Sequence, residues 1–398
     1  MGVPDRPSRV IPIDALRGGV MIVMALDHVR DFIHRAAMVS SPTDLAQTTP
    51  ILFFTRWVTH ICAPVFMFTA GMGAFLWWRQ RRPKRELSTF LLTRGLWLIV
   101  LELTVMRVAY DFDASLRDPV LLLVLWVLGA CMIALAALIW LPTRALAAAS
   151  ILIIVLHNLL DRIRPAQFGG AAWIWNLIHA PGAFSVGGVL VIVGYPLVPW
   201  IAVITLGFIS GHLFLMDTAV RQRRLIIGGA VLTIAFVAIR ALNRYGDPAP
   251  WSARQTGVFT MLSFLNTTKY PPSLAFLLMT LGPALLLLAA LDRSALKSTN
   301  PIVVFGRVPL FYFVCHFFAA HVVAALLAVW RYGRAAFVFM NHPVPSMGGP
   351  AGLFPPAFGY DLWVVYAVWA LIVLALYPAC RWFARVKASR DSWWLRYV

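Results

Sequence analysis

The sequence predicts an all-α fold: a polytopic transmembrane helical bundle of about ten spans, with both termini inside. Composition is the first observation behind it. Of the 398 residues, 61% are hydrophobic and only 13% are charged, a balance that excludes an ordinary soluble enzyme and a disordered chain. The second is recurrence. Apolar runs of bilayer-crossing length follow one another along the whole chain, and no stretch is long enough for a separate soluble domain. Residues 1–398 therefore read as one integral membrane domain, and the short alternating segments of a membrane β-barrel are not seen. The third is the placement of Lys and Arg, which concentrate on alternate connections.

Ten spans are expected at about 12–33, 56–78, 90–110, 119–140, 144–160, 187–214, 224–242, 271–291, 303–329 and 361–384. With the N-terminus inside, the inner connections hold Arg6 and Arg9, then Arg79, Arg81, Arg82, Lys84 and Arg85, and later Arg221, Arg223, Arg224, Arg293 and Lys297. The tail adds Arg381, Arg385 and Lys387, while Asp111, Asp113, Asp118, Asp161, Asp247 and Asp361 fall outside. This topology accounts for the formal charge of +18 without nucleic acid as a partner. The first span lacks a small-residue cleavage site and is not expected to be a signal peptide. Pro181, Pro196 and Pro199 punctuate the long run before and within the sixth span, where a broken helix is expected. Pro64 is expected to kink the second span, and Gly71 and Gly73 to pack it closely on a neighbour. Cys62, Cys131, Cys315 and Cys380 lie in apolar segments without metal-ligand spacing and read as buried thiols, and no metal site is expected. No internal repeat is evident, which weighs slightly against a secondary transporter.

The first span carries the chemistry. It reads RVIPIDALRGGVMIVMALDHVRDFIHR and holds Asp14, Arg17, Asp27, His28 and Asp31. A charge inside a bilayer costs at least a few kcal/mol, so such residues face protein and are functional suspects. Arg17 and His28 are eleven residues apart, on nearly the same helix face and roughly 16 Å apart along the axis. A polar line thus runs through the membrane. On the outer side, Arg56 and His60 share a face of the second span, and Asn266 and Lys269 lie in the LNTTKYPPS connection. Arg30, Asp31 and Arg56 equally suit interfacial anchors, and His34, His179, His321 and His342 suit loop or interface residues rather than catalytic ones.

Several chemistries drop out. The sequence has no phosphate-binding glycine loop, no HExxH, no CxxC and no serine elbow. Histidine acid–base chemistry remains: a neutral imidazole takes a proton from a hydroxyl or amine attacking an acyl carbonyl. Arginine at the inner end is suited to a phosphate. An activated acyl donor would enter beside Arg17 and Asp14 and present its acyl end near His28.

At these residues the chain resembles two related groups of membrane acyltransferases. DALRG (Asp14 to Gly18) and ALDHVRDF (Ala25 to Phe32) are similar to a bacterial branch of the heparan-α-glucosaminide N-acetyltransferase catalytic-domain family. APVFMFTAGM, YPLVPWIAVITLG, FLNTTKYPPSL, FGRVPLFYFVCH and YDLWVVYAVW extend the resemblance over nearly the whole chain. The Arg17-x10-His28 spacing resembles that of acyltransferase-3 proteins, which implies Arg17 and His28 as essential positions. The resemblance implies acetyl-CoA as donor, a sugar or envelope glycan or glycolipid as acceptor, and a bacterial inner membrane with its lipid as the setting. The heparan acetyltransferase implies a catalytic histidine in the first connection, but this chain has none between His34 and His60. His28 and His60 therefore both stand as the base, with Asp27 or Asp31 orienting His28 or the acceptor. Arg56, Asn266 and Lys269 stand on the acceptor side, and Arg17 and Asp14 on the donor side. The rivals are a transporter using the same polar line and a non-catalytic membrane scaffold. Gly- and Ala-rich faces also permit a homodimer.

Overall fold

The computed structural model describes residues 10–80, 82–112, 119–342, 344–345, 349–350 and 352–398. Arg6, Arg9, Arg81, Asp113 and Asp118, used above for orientation, lie outside them. The chain is mostly helical, 72% helix against 5% strand. α1 (Ile11–Ile33) is one continuous helix, with Pro12 in its first turn, where the missing N–H has no intrahelical partner to lose. α2 (Pro50–Thr59) and α3 (Cys62–Trp78) form one apolar stretch broken at His60 and Ile61. Pro64 explains where the break falls. It has no N–H for the carbonyl of His60, four residues earlier, and its ring crowds that carbonyl.

α4 (Lys84–Leu101) passes through a π turn, Glu102–Met106, into α5 (Arg107–Asp111). The Glu102 carboxylate then accepts from the amides of Leu125 (2.7 Å) and Trp126 (3.2 Å) at the start of α6 (Val124–Leu138). It thereby satisfies first-turn donors that the helix itself leaves open. α7 (Thr143–Leu156), α8 (Ala172–Ile178), α9 (Trp200–Ser210), α10 (Thr218–Leu242), α11 (Gly257–Leu265) and α12 (Leu274–Arg293) follow. α13 (Pro301–Arg307) and α14 (Pro309–Tyr332) are separated at Val308, which the following proline keeps out of the helical region. α15 (Leu362–Ser389) is the last long helix.

The expected sixth span, 187–214, is corrected. Its first part is not helical: β2 (Gly182–Val186) and β3 (Val189–Val193) form a hairpin, and β1 (Val120–Leu122) pairs parallel to β3. Gly187 and Gly188 both have positive φ, +57° and +84°, as a two-residue hairpin turn requires. The valine-rich sequence suits a strand paired on both edges, and apolarity alone does not separate such a strand from a membrane helix. The fourth span likewise starts as a strand before α6.

Seven helical stretches among the described residues are long and apolar enough to cross a membrane: Pro50–Trp78, Lys84–Asp111, Thr143–Arg162, Thr218–Leu242, Leu274–Arg293, Pro309–Val338 and Leu362–Ser389. α1 is as long as these but highly charged, and it lies at the centre. It packs against α2, α3, α12, α13, α14 and α15, and Met21, Ala25 and Val29 are wholly shielded. Two glycines at one crossing, that of α1 and α13, allow the tightest approaches. A Cβ on Gly18 would stand 1.8 Å from the Ile302 carbonyl oxygen, and one on Gly306 would stand 1.7 Å from that of Asp14. Gly71 plays the same part against α9, at 2.0 Å from the Ile204 oxygen, whereas Gly73 faces the Arg17 guanidinium instead. The DALRG and FGR segments are thus pressed backbone to backbone.

Gly306→Ala should separate α1 from α13 and destabilise the protein by about 3 kcal/mol, the upper range for overpacking. Gly257→Ala, where an added Cβ meets nothing within 4 Å, should leave stability within about 0.5 kcal/mol. Unfolding in detergent checks both, and equal midpoints for the two variants would refute the crossing.

Candidate active site

The polar residues of α1 fall into two groups, one at each end. At the basic-loop end, Arg17 donates from Nη2 to the Thr69 carbonyl (3.2 Å), and its Nη1 lies 3.5 Å from Asp14 Oδ1. Asp14 Oδ2 is 4.0 Å from Arg307 Nε. Thr69 belongs to α3 and Arg307 closes α13, so three helices converge on this pair. Beside it lies a cavity of about 240 Å³, lined by Arg17, Met24, Gly73, Trp77, Arg94 and Phe313 among others. Its wall is mostly apolar, and Arg17 and Arg94 are its two cations. Arg94 comes from α4 and also donates to the carbonyl of Arg396 near the C-terminus.

The other end holds an ionic cluster. Arg30 Nη2 donates to Asp27 Oδ1 (2.9 Å) and to Asp31 Oδ1 (2.6 Å). Arg56, from α2, pairs through Nη1 with the second Asp27 oxygen. Asp27 is therefore held between two guanidiniums and makes no hydrogen bond to His28. Lys269 is close enough to act electrostatically on Asp27, Asp31, His28 and His60. Its ammonium also lies 5.1 Å from the Tyr270 ring centre and 6.0 Å from that of Tyr195, and the two tyrosine hydroxyls are 3.3 Å apart. Three cations against two carboxylates leave the cluster formally one charge positive.

His28 stands between the two groups. Its Nδ1 is 2.8 Å from Nε2 of His316 on α14, with the rings nearly parallel at 7°. His316 Nδ1 is in turn 2.8 Å from the Tyr312 carbonyl oxygen. The Phe313 ring, which lines the cavity, meets the His28 ring edge-on at 6.0 Å between centres. His60 sits in the break before α3, buried against Phe276, with no hydrogen-bond partner for its Nδ1 among the described residues.

Of the residues singled out from the sequence, Asp27, His28, Asp31, Arg56, His60 and Lys269 come together. Arg17 and Asp14 lie apart at the cavity, as their spacing along α1 requires. Asn266 is engaged elsewhere: its side-chain amide donates to the Thr43 carbonyl at 3.0 Å and ties down the connection between α1 and α2. His34 is a loop residue, accepting from the Ala36 amide at 3.2 Å. Burial, helped by the Arg30 and Arg35 cations, pushes its pKa down to about 4, so the neutral acceptor form persists. The Lys269 connection is built by Asp247, which accepts from the Thr268 amide (2.9 Å) and hydroxyl (2.9 Å) and from Ser273 Oγ (2.6 Å). Sequence reasoning missed Asp247, Arg94, Tyr195 and the part played by His316. Only His316 gave a signal, as a histidine near the middle of the expected ninth span.

The fold and this arrangement define a class: a helical bundle suited to a membrane, with an ionic cluster and a histidine pair buried at its central helix. The family model described as Heparan-alpha-glucosaminide N-acetyltransferase, catalytic, matches residues 9–245. That is more than half of the chain, and the chain belongs to this family. Membership points to an integral membrane acetyltransferase, and the family implies acetyl-CoA as donor and a sugar as acceptor. No curated protein matches the chain. The matched segment carries Arg17, the ionic cluster of α1 and α2, and His60; Lys269 and His316 lie beyond it.

Arg56→Met should destabilise the protein by about 3 kcal/mol, because it strips one of two partners from a buried carboxylate. Pairing it with Asp27→Asn should recover part of that loss. Thermal unfolding in detergent measures both, and an unchanged midpoint for the single variant would mean that the pair is solvated.

Proposed function

We propose that this protein takes the acetyl group of acetyl-CoA at its basic-loop end and delivers it to an amine or hydroxyl of a sugar or envelope glycan at the other end. The observation that carries this reading is the course of α1, which links the Arg17 cavity to His28 without a break. A cavity of about 240 Å³ is smaller than the usual 300–1,000 Å³ of a site enclosing a whole small-molecule ligand. It suits the acyl-bearing arm of the donor, with the nucleotide left at the basic loops. Arg17 and Arg94 complement donor phosphate charge, and Asp14 holds Arg17 in place.

In this reading His28 is the general base. The acceptor nitrogen or oxygen attacks the acetyl carbonyl and passes its proton to the free ring nitrogen of His28. The carbon–sulfur bond breaks, and the thiolate of CoA leaves towards the cavity. Asp27 acts through the ionic cluster and does not touch the His28 ring. The net positive charge of Arg30, Arg56 and Lys269 over Asp27 and Asp31 favours an acceptor carrying an anionic group. His60, buried beside this cluster, is the alternative base.

The topology belongs to the same proposal. Adding α1, α6 and α9 to the seven long apolar stretches gives ten spans in one domain. In this reading the cavity end faces the cytoplasm of a bacterial inner membrane, supported by the basic Arg79, Arg82, Lys84 and Arg85 in the connection after α3.

Acetyl transfer from labelled acetyl-CoA to methyl α-glucosaminide, in detergent, tests the roles. His28→Ala should lower kcat by about 10²–10⁴, the range for removing a general base. Arg17→Ala should raise the KM for acetyl-CoA at least about tenfold, the equivalent of one lost charge-assisted contact. Loss of transfer in His60→Ala but not His28→Ala would move the base to His60. Binding of neither acetyl-CoA nor CoA would turn the reading towards a transporter.

A further inference from the structure

We propose that His316 is a positioning residue that holds His28 in the tautomer with its proton on Nδ1, so that Nε2 carries the basic lone pair. This rests on His28 as the base. It adds which nitrogen acts and what sets it.

The order of donors follows from one end of the chain of contacts. A backbone carbonyl can only accept, so His316 Nδ1, 2.8 Å from the Tyr312 oxygen, must carry a proton. A neutral imidazole has one N–H. The Nε2 of His316 is then a lone pair, and the His28 Nδ1 facing it at 2.8 Å must be the donor. The opposite order needs a doubly protonated His316. That ring is wholly buried, stacked with Tyr312 at 4.9 Å between centres and flanked by Phe313 and Phe317. Among the described residues no carboxylate pairs with it. An imidazolium there would be an unpaired buried charge, whereas the neutral pair satisfies three of its four ring nitrogens. The Tyr312 carbonyl belongs to the preceding turn of the same helix, so the anchor is fixed by α14 itself.

The consequence for chemistry is specific. Nδ1 and Nε2 lie on opposite sides of the imidazole ring, so fixing the proton on Nδ1 directs the lone pair away from His316. A free histidine exchanges between tautomers and would spend part of its time unable to accept from that side. A second neutral imidazole here does the orienting work that a carboxylate does elsewhere, and it adds no charge to the middle of the bundle. Asp27 is adjacent in sequence, but it is occupied by Arg30 and Arg56.

The experiment uses full-length protein in nanodiscs with ¹³C,¹⁵N-labelled histidine, and reads the His28 tautomer by solid-state NMR alongside acetyl transfer to methyl α-glucosaminide. Wild type should show His28 protonated on Nδ1. His316→Phe keeps the aromatic packing but removes the acceptor. It should move the proton to Nε2, lower kcat about 10²-fold and leave the KM for acetyl-CoA within about twofold. His316→Gln retains an acceptor oxygen for His28 and an amide for Tyr312, and should restore at least about a tenth of wild-type kcat. A wild-type spectrum with His28 protonated on Nε2 would overturn the proposal. So would a His316→Phe variant that keeps its kcat. Full transfer by His28→Ala would remove the base assignment on which this rests. The spectrum is read without turnover, so it separates that case from a wrong order of hydrogen bonds.

Discussion

Everything in this bundle is arranged around the ionisable residues of α1. A helix carrying Asp14, Arg17, Asp27, Arg30 and Asp31 cannot face lipid along its length, and it cannot be buried unless its charges are paired. The neighbouring helices meet both conditions. α2 supplies Arg56 to Asp27, α3 supplies Thr69 to Arg17, and α13 brings Arg307 towards Asp14. The pairing also requires short interhelical distances. The Gly18 and Gly306 crossing provides them by letting the backbones of α1 and α13 meet.

The same constraint separates the Arg17 cavity from the ionic cluster. Eleven residues of unbroken helix hold Arg17 and His28 on one face at roughly 16 Å. The cavity reaches from the first towards the second by way of Met24 and Phe313. In the ionic cluster beyond His28, each of Asp27, Arg30, Asp31 and Arg56 has an ion-pair partner. Lys269 is delivered to it by a loop that Asp247 braces from within and His157 holds at the Pro272 carbonyl. In the proposed function, a base standing between the Arg17 cavity and the ionic cluster would serve transfer across a membrane.

What was legible in the sequence was whatever acts within one helix. The line on α1 is a matter of spacing, and the clustering of Arg56 and His60 with it follows from their position at the outer end of the next span. The close approach at Gly71 followed from small residues on one face. Features made between distant segments were not legible. The strand Val189–Val193 reads as apolar membrane helix until its partners at 120–122 and 182–186 are known. The proline at 64 was visible, but its effect falls on His60, where the carbonyl loses its donor. Arg94 falls within the expected third span, and nothing local says that it lines a cavity. Asn266 looked like a site residue because of its neighbours, yet its amide is spent on Thr43. His316 was visible only as a polar residue in an apolar span, since its partner is 288 positions away.

The most direct measurement is the sidedness of transfer in proteoliposomes of verified orientation. Labelled acetyl-CoA is supplied only at the face bearing the 79–85 loop, and a glucosaminide-bearing glycan is enclosed on the other. The account predicts that label appears on the enclosed glycan, and that acetyl-CoA offered at the opposite face gives none. Label found only on acceptors that share a compartment with acetyl-CoA would contradict the transmembrane path from Arg17 to His28.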